Sequence, residues 1–398
     1  MIEALRKQYN AAFTEAKYQA LLADIERDFP GQLEFRVAET PVFVPKAFGN
    51  KIREACEAII DVLTAPDFHE KTTAAVPAHQ RVPNENAHSS FLAIDFAVCR
   101  DASGELVPQL IELQGFPSIF GFQSYVSELF RTHYPFIPDT VSNYFAATDQ
   151  VSYVGHLRQT ILGDEAPEHV VLLELFPEKQ KTRVDFAVTE HFLGIRPVCL
   201  TKIQKEDRKL FYDRDGERTE IRRIYNRLIF DDLDQYPDLE TDFKLTDDVD
   251  VTWVGHPNWF FRISKYTMPL LRSPYIPESR FLDSYGGTFP DDLSGYVLKP
   301  LFSFAGSGVK LNVTADELRA IPDPQNFLLQ RKVQYEPIIP APDGLVKCEI
   351  RMLYTWPDPD EHPTLLTNLS RLSRGEMIGV RFNKDFTWVG GTTCFFER

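Results

Sequence analysis

Cysteine is scarce: Cys56, Cys99, Cys199, Cys348 and Cys394 are the five in 398 residues. They are scattered, odd in number and form no Cys-x-x-Cys pair. A disulfide frame and a zinc site therefore find no support, and a reducing compartment fits best. Long apolar runs are lacking as well. None approaches the roughly 18 residues of a membrane span, and MIEALRKQYNAAFTEAKYQALLADIERDF at the start has no basic segment leading into an apolar one. The expectation is a soluble, cytoplasmic chain. Positive charge is also in short supply, with 43 Lys and Arg against 58 Asp and Glu and a formal net charge of −15. An acidic surface argues against general nucleic-acid or anionic-membrane binding, since both rest on basic patches. It leaves ATP open, because a bound Mg²⁺ and a few convergent cations hold a triphosphate locally.

Aromatic residues and proline are plentiful, with 31 Phe and 28 Pro. This usage predicts an aromatic core, many short strands and Pro-bounded connections. Residues 1–84 read as a helical packing region, with apolar residues at helical spacing over Glu3 to Arg27 and over Asn50 to Leu63. Residues 85–150 open on two β-rich runs, Ser90 to Cys99 and Leu106 to Leu113, which form a hairpin. Residues 151–250 carry a strand, helix, strand pattern typical of a small α/β lobe. Residues 251–398 read as an antiparallel β-rich lobe.

Four segments carry residues suited to chemistry. Asp95 interrupts the apolar run FLAIDFAVC, where a bare carboxylate is costly to bury. Period-two alternation sets Glu112 and Gln114 on one face of the neighbouring strand. These three oxygen donors suit a Mg²⁺ ion, or else line a solvent face. Lys299 ends an apolar strand, and Ser303, Gly306, Ser307 and Gly308 follow in a small-residue loop. Its backbone N–H groups suit phosphate, while the alternative is a hairpin whose glycines only make the turn. Lys265 is a second phosphate-binding cation or a snorkelling surface residue. Glu349 and Arg351 share one strand face, and Arg371, Arg374 and Arg381 lie near the end of the chain. Arginines of this kind serve phosphoryl groups, substrate carboxylates or structural ion pairs.

Taken in order, these segments resemble the circularly permuted ATP-grasp ligases, and among them the synthetase part of glutathionylspermidine synthase. The residues that carry the resemblance are Asp95 with Glu112-x-Gln114, Ser264-Lys265 after Pro257-Asn258-Trp259, Lys299 to Ser303, and Ile378 to Arg381. It covers roughly residues 85 to 395. The resemblance implies an α/β fold with an ATP-grasp core, the nucleotide between two α+β lobes, and the small α/β lobe beside them. It implies Mg²⁺ on Asp95, Glu112 and Gln114, ATP phosphates on Lys265, Lys299 and the Ser303 to Gly308 loop, and adenine near Gln330. The activity implied is an ADP-forming ligase that joins a small-molecule or peptide carboxylate to an amine through an acyl phosphate. A phosphotransferase on the same scaffold and a degenerate nucleotide-binding protein are the alternatives. This chain departs from the pattern at Gln114, where Asn is usual, and at Ala93, where an Arg is usual. Arg351 and Arg381 are the candidates for the missing cation. The loop reads Phe-Ala-Gly-Ser-Gly in place of Ser-Arg-Glu-Gly, and no amidase segment with a Cys/His pair is found.

Overall fold

The computed structural model describes residues 1–303, 307–375, 378, 383 and 385–398. Two residues named above, Gly306 and Arg381, lie outside them. The N-terminal apolar spacing forms two helices, α1 (Glu3–Ala12) and α2 (Glu15–Asp28), separated at Thr14, whose hydroxyl accepts the Lys17 N–H as an N-cap. A longer helix, α3 (Lys46–Leu63), buries Ile52, Ala55, Cys56, Ile59, Ile60 and Leu63. That spacing is one helical face.

The chain is a mixed α/β protein whose largest sheet has six strands. Its path runs β19 (Gly390–Thr392), β18 (Thr364–Ser373), β17 (Gly344–Thr355), β2 (Phe91–Arg100) and β3 (Leu106–Gln114), with β16 (Ile339–Ala341) beside β17. Strands from the 85–150 and 251–398 segments thus share one sheet. Alternation along β2 divides its side chains: Leu92, Ile94, Phe96 and Val98 pack with α3 on one face, while Phe91 and Ala93 join a second core. Asp95 falls on that second face, between Ala93 and Ala97.

A four-stranded sheet covers the open edge at β3. Its order is β12 (Ser279–Phe281), β15 (Phe327–Arg331), β13 (Tyr296–Pro300) and β14 (Lys310–Leu311). One face buries Tyr296, Leu298 and Leu329, which leaves Lys299 and Gln330 on the other. A further four-stranded sheet is all parallel, in the order β11 (Thr252–Val254), β10 (Arg223–Asn226), β5 (Val170–Glu174) and β6 (Arg196–Cys199). Helices at Gln150–Leu162 and Arg183–Leu193 cover one side through Val170 and Leu172. A meander of β7 (Gln204–Glu206), β8 (Lys209–Arg214) and β9 (Glu217–Ile221) packs on the other through Val171 and Leu173. Burial on both faces explains the unbroken VVLLE run. Finally, β1 (Val42–Val44) and β4 (Val141–Ser142) flank β20 (Cys394–Glu397), tying the first segment to the last. Among the described residues no helix is long and apolar enough to cross a membrane.

Candidate functional site

Four strands place charge on one face of the large sheet. Glu112, Asp95 and Arg351 stand in register across β3, β2 and β17, and Glu349 faces Arg371 across β17 and β18. Asp95 is fully buried, and its carboxylate accepts Nε and Nη2 of Arg351 at 2.6 Å each and Nη2 of Arg371 at 3.0 Å. Arg371 also pairs with Glu349, whose other oxygen accepts the Tyr335 hydroxyl at 2.6 Å. The flanking Ala93 and Ala97 are small, which leaves room for the two guanidinium groups.

A bulge brings in the second wall. The register of β2 and β3 slips after Asp95, opposite which stands Glu112, so Ile111 is an extra residue with no place in the ladder. Its carbonyl accepts Lys299 Nζ at 2.9 Å, and the Leu110 carbonyl accepts the Gln330 amide at 3.4 Å. The four-stranded sheet therefore satisfies the exposed edge of β3 with side chains, and in doing so delivers a lysine to the carboxylates. Lys265 comes from a third direction, donating to the Ser303 carbonyl at 2.8 Å and lying 3.5 Å from Glu112. Its approach depends on Gly115. A Cβ there would sit 2.7 Å from the Trp259 carbonyl oxygen and 2.8 Å from Ile263 Cβ. Gly115→Ala is expected to cost about 1–3 kcal/mol by forcing the Trp259 to Lys265 segment outward. Urea denaturation measures this, and an unchanged midpoint would mean that the segment yields freely.

Seven charged groups meet here, four cations and three carboxylates. Burial alone pushes the Glu112 carboxyl up, but Lys265, Arg371, Arg351 and Lys299 overcome it and hold it at about 2. Burial pushes the Lys299 ammonium down to about 8, against the opposing pull of Glu112. For Glu349 burial wins and the carboxyl is raised.

Of the residues singled out in the sequence, Asp95, Glu112, Gln114, Lys265, Lys299, Ser303, Gln330 and Arg351 converge on this point. Ser307 and Gly308 are exposed, in a turn where a Cβ at position 308 would sit 2.6 Å from Pro300 Cγ. Among the described residues, neither is hydrogen-bonded to a site lysine. Donor chemistry does not fit a Mg²⁺ ion at the expected ligands. Both Asp95 oxygens are taken by guanidinium groups, and Gln114 turns its amide N–H toward Glu112 at 2.8 Å. Among the described residues no three His, Cys, Asp or Glu side chains are placed to hold a metal. The sequence offers Arg371 several roles, an ion pair among them, and marks Glu349 by the strand face it shares with Arg351, while nothing in it points to Tyr335.

A cavity of about 30 Å³ lies beside this cluster, walled by Glu112, Phe116, Phe260, Lys265 and Phe302. Phe116 is shared with another polar group, because Arg227 stacks on its ring at 5.0 Å and donates to the Pro117 carbonyl at 2.6 Å. Arg227 follows β10, and Glu174 ends the adjacent β5. Strand order reverses between these two, since β6 lies on one side of β5 and β10 on the other. Parallel sheets bind ligands at the carboxyl ends of their strands at such a point. Glu174 is buried, and burial pushes its carboxyl up to about 8 against a backbone N–H from Leu175 and the charge of Arg227. Among the described residues, Asn226 Nδ2 and Arg227 Nε are buried without a hydrogen-bond partner. Phe176 and Ile119, on either side, hold φ at 48° and 72°. Strain of this kind gathers where ligands bind. The apolar VVLLE run concealed Glu174 as a site residue.

The fold itself has a known counterpart. The structure superimposes on that of a glutathione synthetase-like effector from Globodera pallida, determined in its apo form. The TM-score is 0.60 over 97% of this chain and 98% of the other, at 11% sequence identity. At that identity the likeness is one of fold. No family model matches the chain, and no curated protein matches it.

Proposed function

We propose that this chain is an ATP-dependent ligase that activates a small-molecule or peptide carboxylate as an acyl phosphate and joins it to an amine. One observation carries the reading: Lys265, Lys299, Arg351 and Arg371 converge from two sheets and a connecting turn on one buried point. Fixed cations in a water-poor site stabilise charge on phosphoryl oxygens. The likeness in fold to a glutathione synthetase-like protein supports the reading, as does the order of the sequence segments, which resembles that of the permuted ATP-grasp ligases. A substrate carboxylate oxygen attacks the γ-phosphorus and the bond to ADP breaks. An amine nitrogen then attacks the acyl carbon, phosphate leaves and the nitrogen sheds a proton. The protein supplies alignment and exclusion of water. Nucleotide entry requires the Lys265 to Ser303 contact to part, since the space now there is about 30 Å³. The polar groups of Glu174, Asn226 and Arg227 at the carboxyl ends of β5 and β10 receive the second substrate, with the guanidinium on its carboxylate and Glu174 on its ammonium group.

Incubating the whole chain with ATP and a panel of amino acids and dipeptides, those that make up glutathione included, tests the reading. ADP release that needs both partners, with an amide of matching mass, supports it. Release with a carboxylate alone and a stable phosphorylated product moves the assignment to a phosphotransferase. A second reading, nucleotide binding without turnover, is favoured by the full engagement of Asp95 with arginine. ATP binding with no product from any pair would select it.

Glu174→Gln separates the substrate pocket from the fold. Near pH 4 the carboxyl is protonated in the folded state and largely so in the unfolded one, so a neutral isostere should leave the melting temperature almost unchanged there. Binding of an amine substrate should weaken at least about tenfold. The sign with pH follows from linkage. Stability from a raised carboxyl is full below its ordinary range near 4.5 and is lost as pH rises through about 8. At pH 9 the variant should therefore melt about 4 °C above the native protein. Equal melting at both pH values would mean that Glu174 is solvated and ionised.

A further inference from the structure

The resemblance to ATP-grasp ligases calls for a metal at Asp95, yet hydrogen bonding at this point is short of acceptors and long on donors. Asp95 already accepts three N–H bonds. Glu349 accepts from Arg371 and Tyr335, and Glu112 accepts from Gln114. Every carboxylate is thus engaged. The cations are not saturated. Lys299 has three N–H groups, is 8% exposed, and among the described residues donates to one acceptor, the Ile111 carbonyl. Among the described residues, Arg371 Nε is buried with no partner, and Arg351 uses Nε and Nη2 while no bond engages its third nitrogen. Counting Asp95, Glu112 and Glu349 as ionised against Lys265, Lys299, Arg351 and Arg371, the cluster carries 4 − 3 = +1. A divalent cation placed here would meet four fixed positive charges and no free carboxylate oxygen on Asp95. An anion would meet unused N–H groups.

We infer that Arg351 and Arg371 take the place of the metal in this chain, and that the site binds the phosphate groups of a nucleotide directly on side-chain N–H donors, without a divalent cation. The inference rests on the nucleotide reading above and goes further by removing Mg²⁺ from it. Its reasoning is one of charge and geometry. Asp95 holds the two guanidinium groups side by side, as a metal ligand would hold its ion. The forks present planar pairs of N–H groups that match phosphate oxygens. Magnesium demands near-octahedral oxygen ligation and gives up its waters reluctantly, and the three expected ligands offer neither the oxygens nor the charge. The free nucleotide also carries more negative charge than its magnesium complex, so a net positive site favours the free form.

Calorimetric titration of the whole chain with ATP in excess EDTA, and again with ATP and Mg²⁺, decides the matter. The expected result is binding in EDTA as tight as with Mg²⁺ or tighter. A fall of about tenfold or more on chelation, restored by Mg²⁺, would overturn the inference and leave nucleotide binding standing. No binding under either condition would overturn both. Asp95→Asn sharpens the comparison, because it removes a negative charge and releases donors. ATP affinity in EDTA should rise about tenfold if the arginines bind phosphate, and a folded variant that loses ATP in EDTA would count against them. Should that variant fail to fold, the wild-type pair of titrations still gives the answer.

Discussion

Replacing Lys299 with methionine is expected to make the protein more stable and to weaken the proposed nucleotide binding about a hundredfold. Lys299 is 8% exposed, and burial brings its ammonium from 10.5 down to about 8. A depressed lysine costs stability while it is charged, here on the order of 3 kcal/mol near neutral pH. Stability from such a group is full above 10.5 and is lost as pH falls through about 8. The groups that face it, Glu112, Lys265, Glu349 and Asp95, stay balanced without it, because the cluster goes from four cations against three carboxylates to three against three. Methionine fills the same volume and forfeits one hydrogen bond, to the Ile111 carbonyl. The net gain should be about 1–3 kcal/mol at pH 7, shrinking toward pH 10. Nucleotide affinity should fall about a hundredfold, as one charge-assisted contact to phosphate is lost. Thermal melts across pH, with ATP titrations alongside, read both effects. A lower melting temperature together with unchanged ATP affinity would reduce Lys299 to a structural tie between the two sheets.

That opposition between stability and binding is what a functional site leaves in a fold, and the sequence exposed part of it. Asp95 was legible because a carboxylate in FLAIDFAVC has no apolar explanation, and Glu112 was legible because β-alternation and a short turn put it opposite. Lys299 was visible as a cation closing an apolar strand. The bulge at Ile111 was not, since nothing in LVPQLIELQ marks which residue slips, and this slip is what hands Lys299 its acceptor. Arg371 and Glu349 meet Asp95 through strand pairings that span more than 250 residues of chain, a register no local pattern encodes. Glu174 hid inside an apolar run because both faces of its sheet are buried. The strands read from the N-terminal hairpin and from the C-terminal lobe were each found, yet their union in one sheet rests on long-range pairing.

Arg351→Met tests the ion pair at the centre of this arrangement, and a loss of about 3–5 kcal/mol is expected. Asp95 has no exposure and would keep a single guanidinium contact, from Arg371 at 3.0 Å. Removing one partner leaves a buried charge whose desolvation is no longer offset, which costs far more than deleting both partners together. The double variant Asp95→Asn with Arg351→Met should accordingly recover most of the loss. Arg351→Lys should fall between, because it keeps the charge but cannot make the two parallel bonds that Nε and Nη2 make at 2.6 Å. Chemical denaturation of the native protein, the single variants Asp95→Asn and Arg351→Met, and the double variant gives the coupling directly. A loss below about 1 kcal/mol in Arg351→Met would place the pair among solvated surface bridges. Strong coupling would establish that the ion pair is complete before any ligand arrives, so that the cost of burying its charges falls on folding and not on binding.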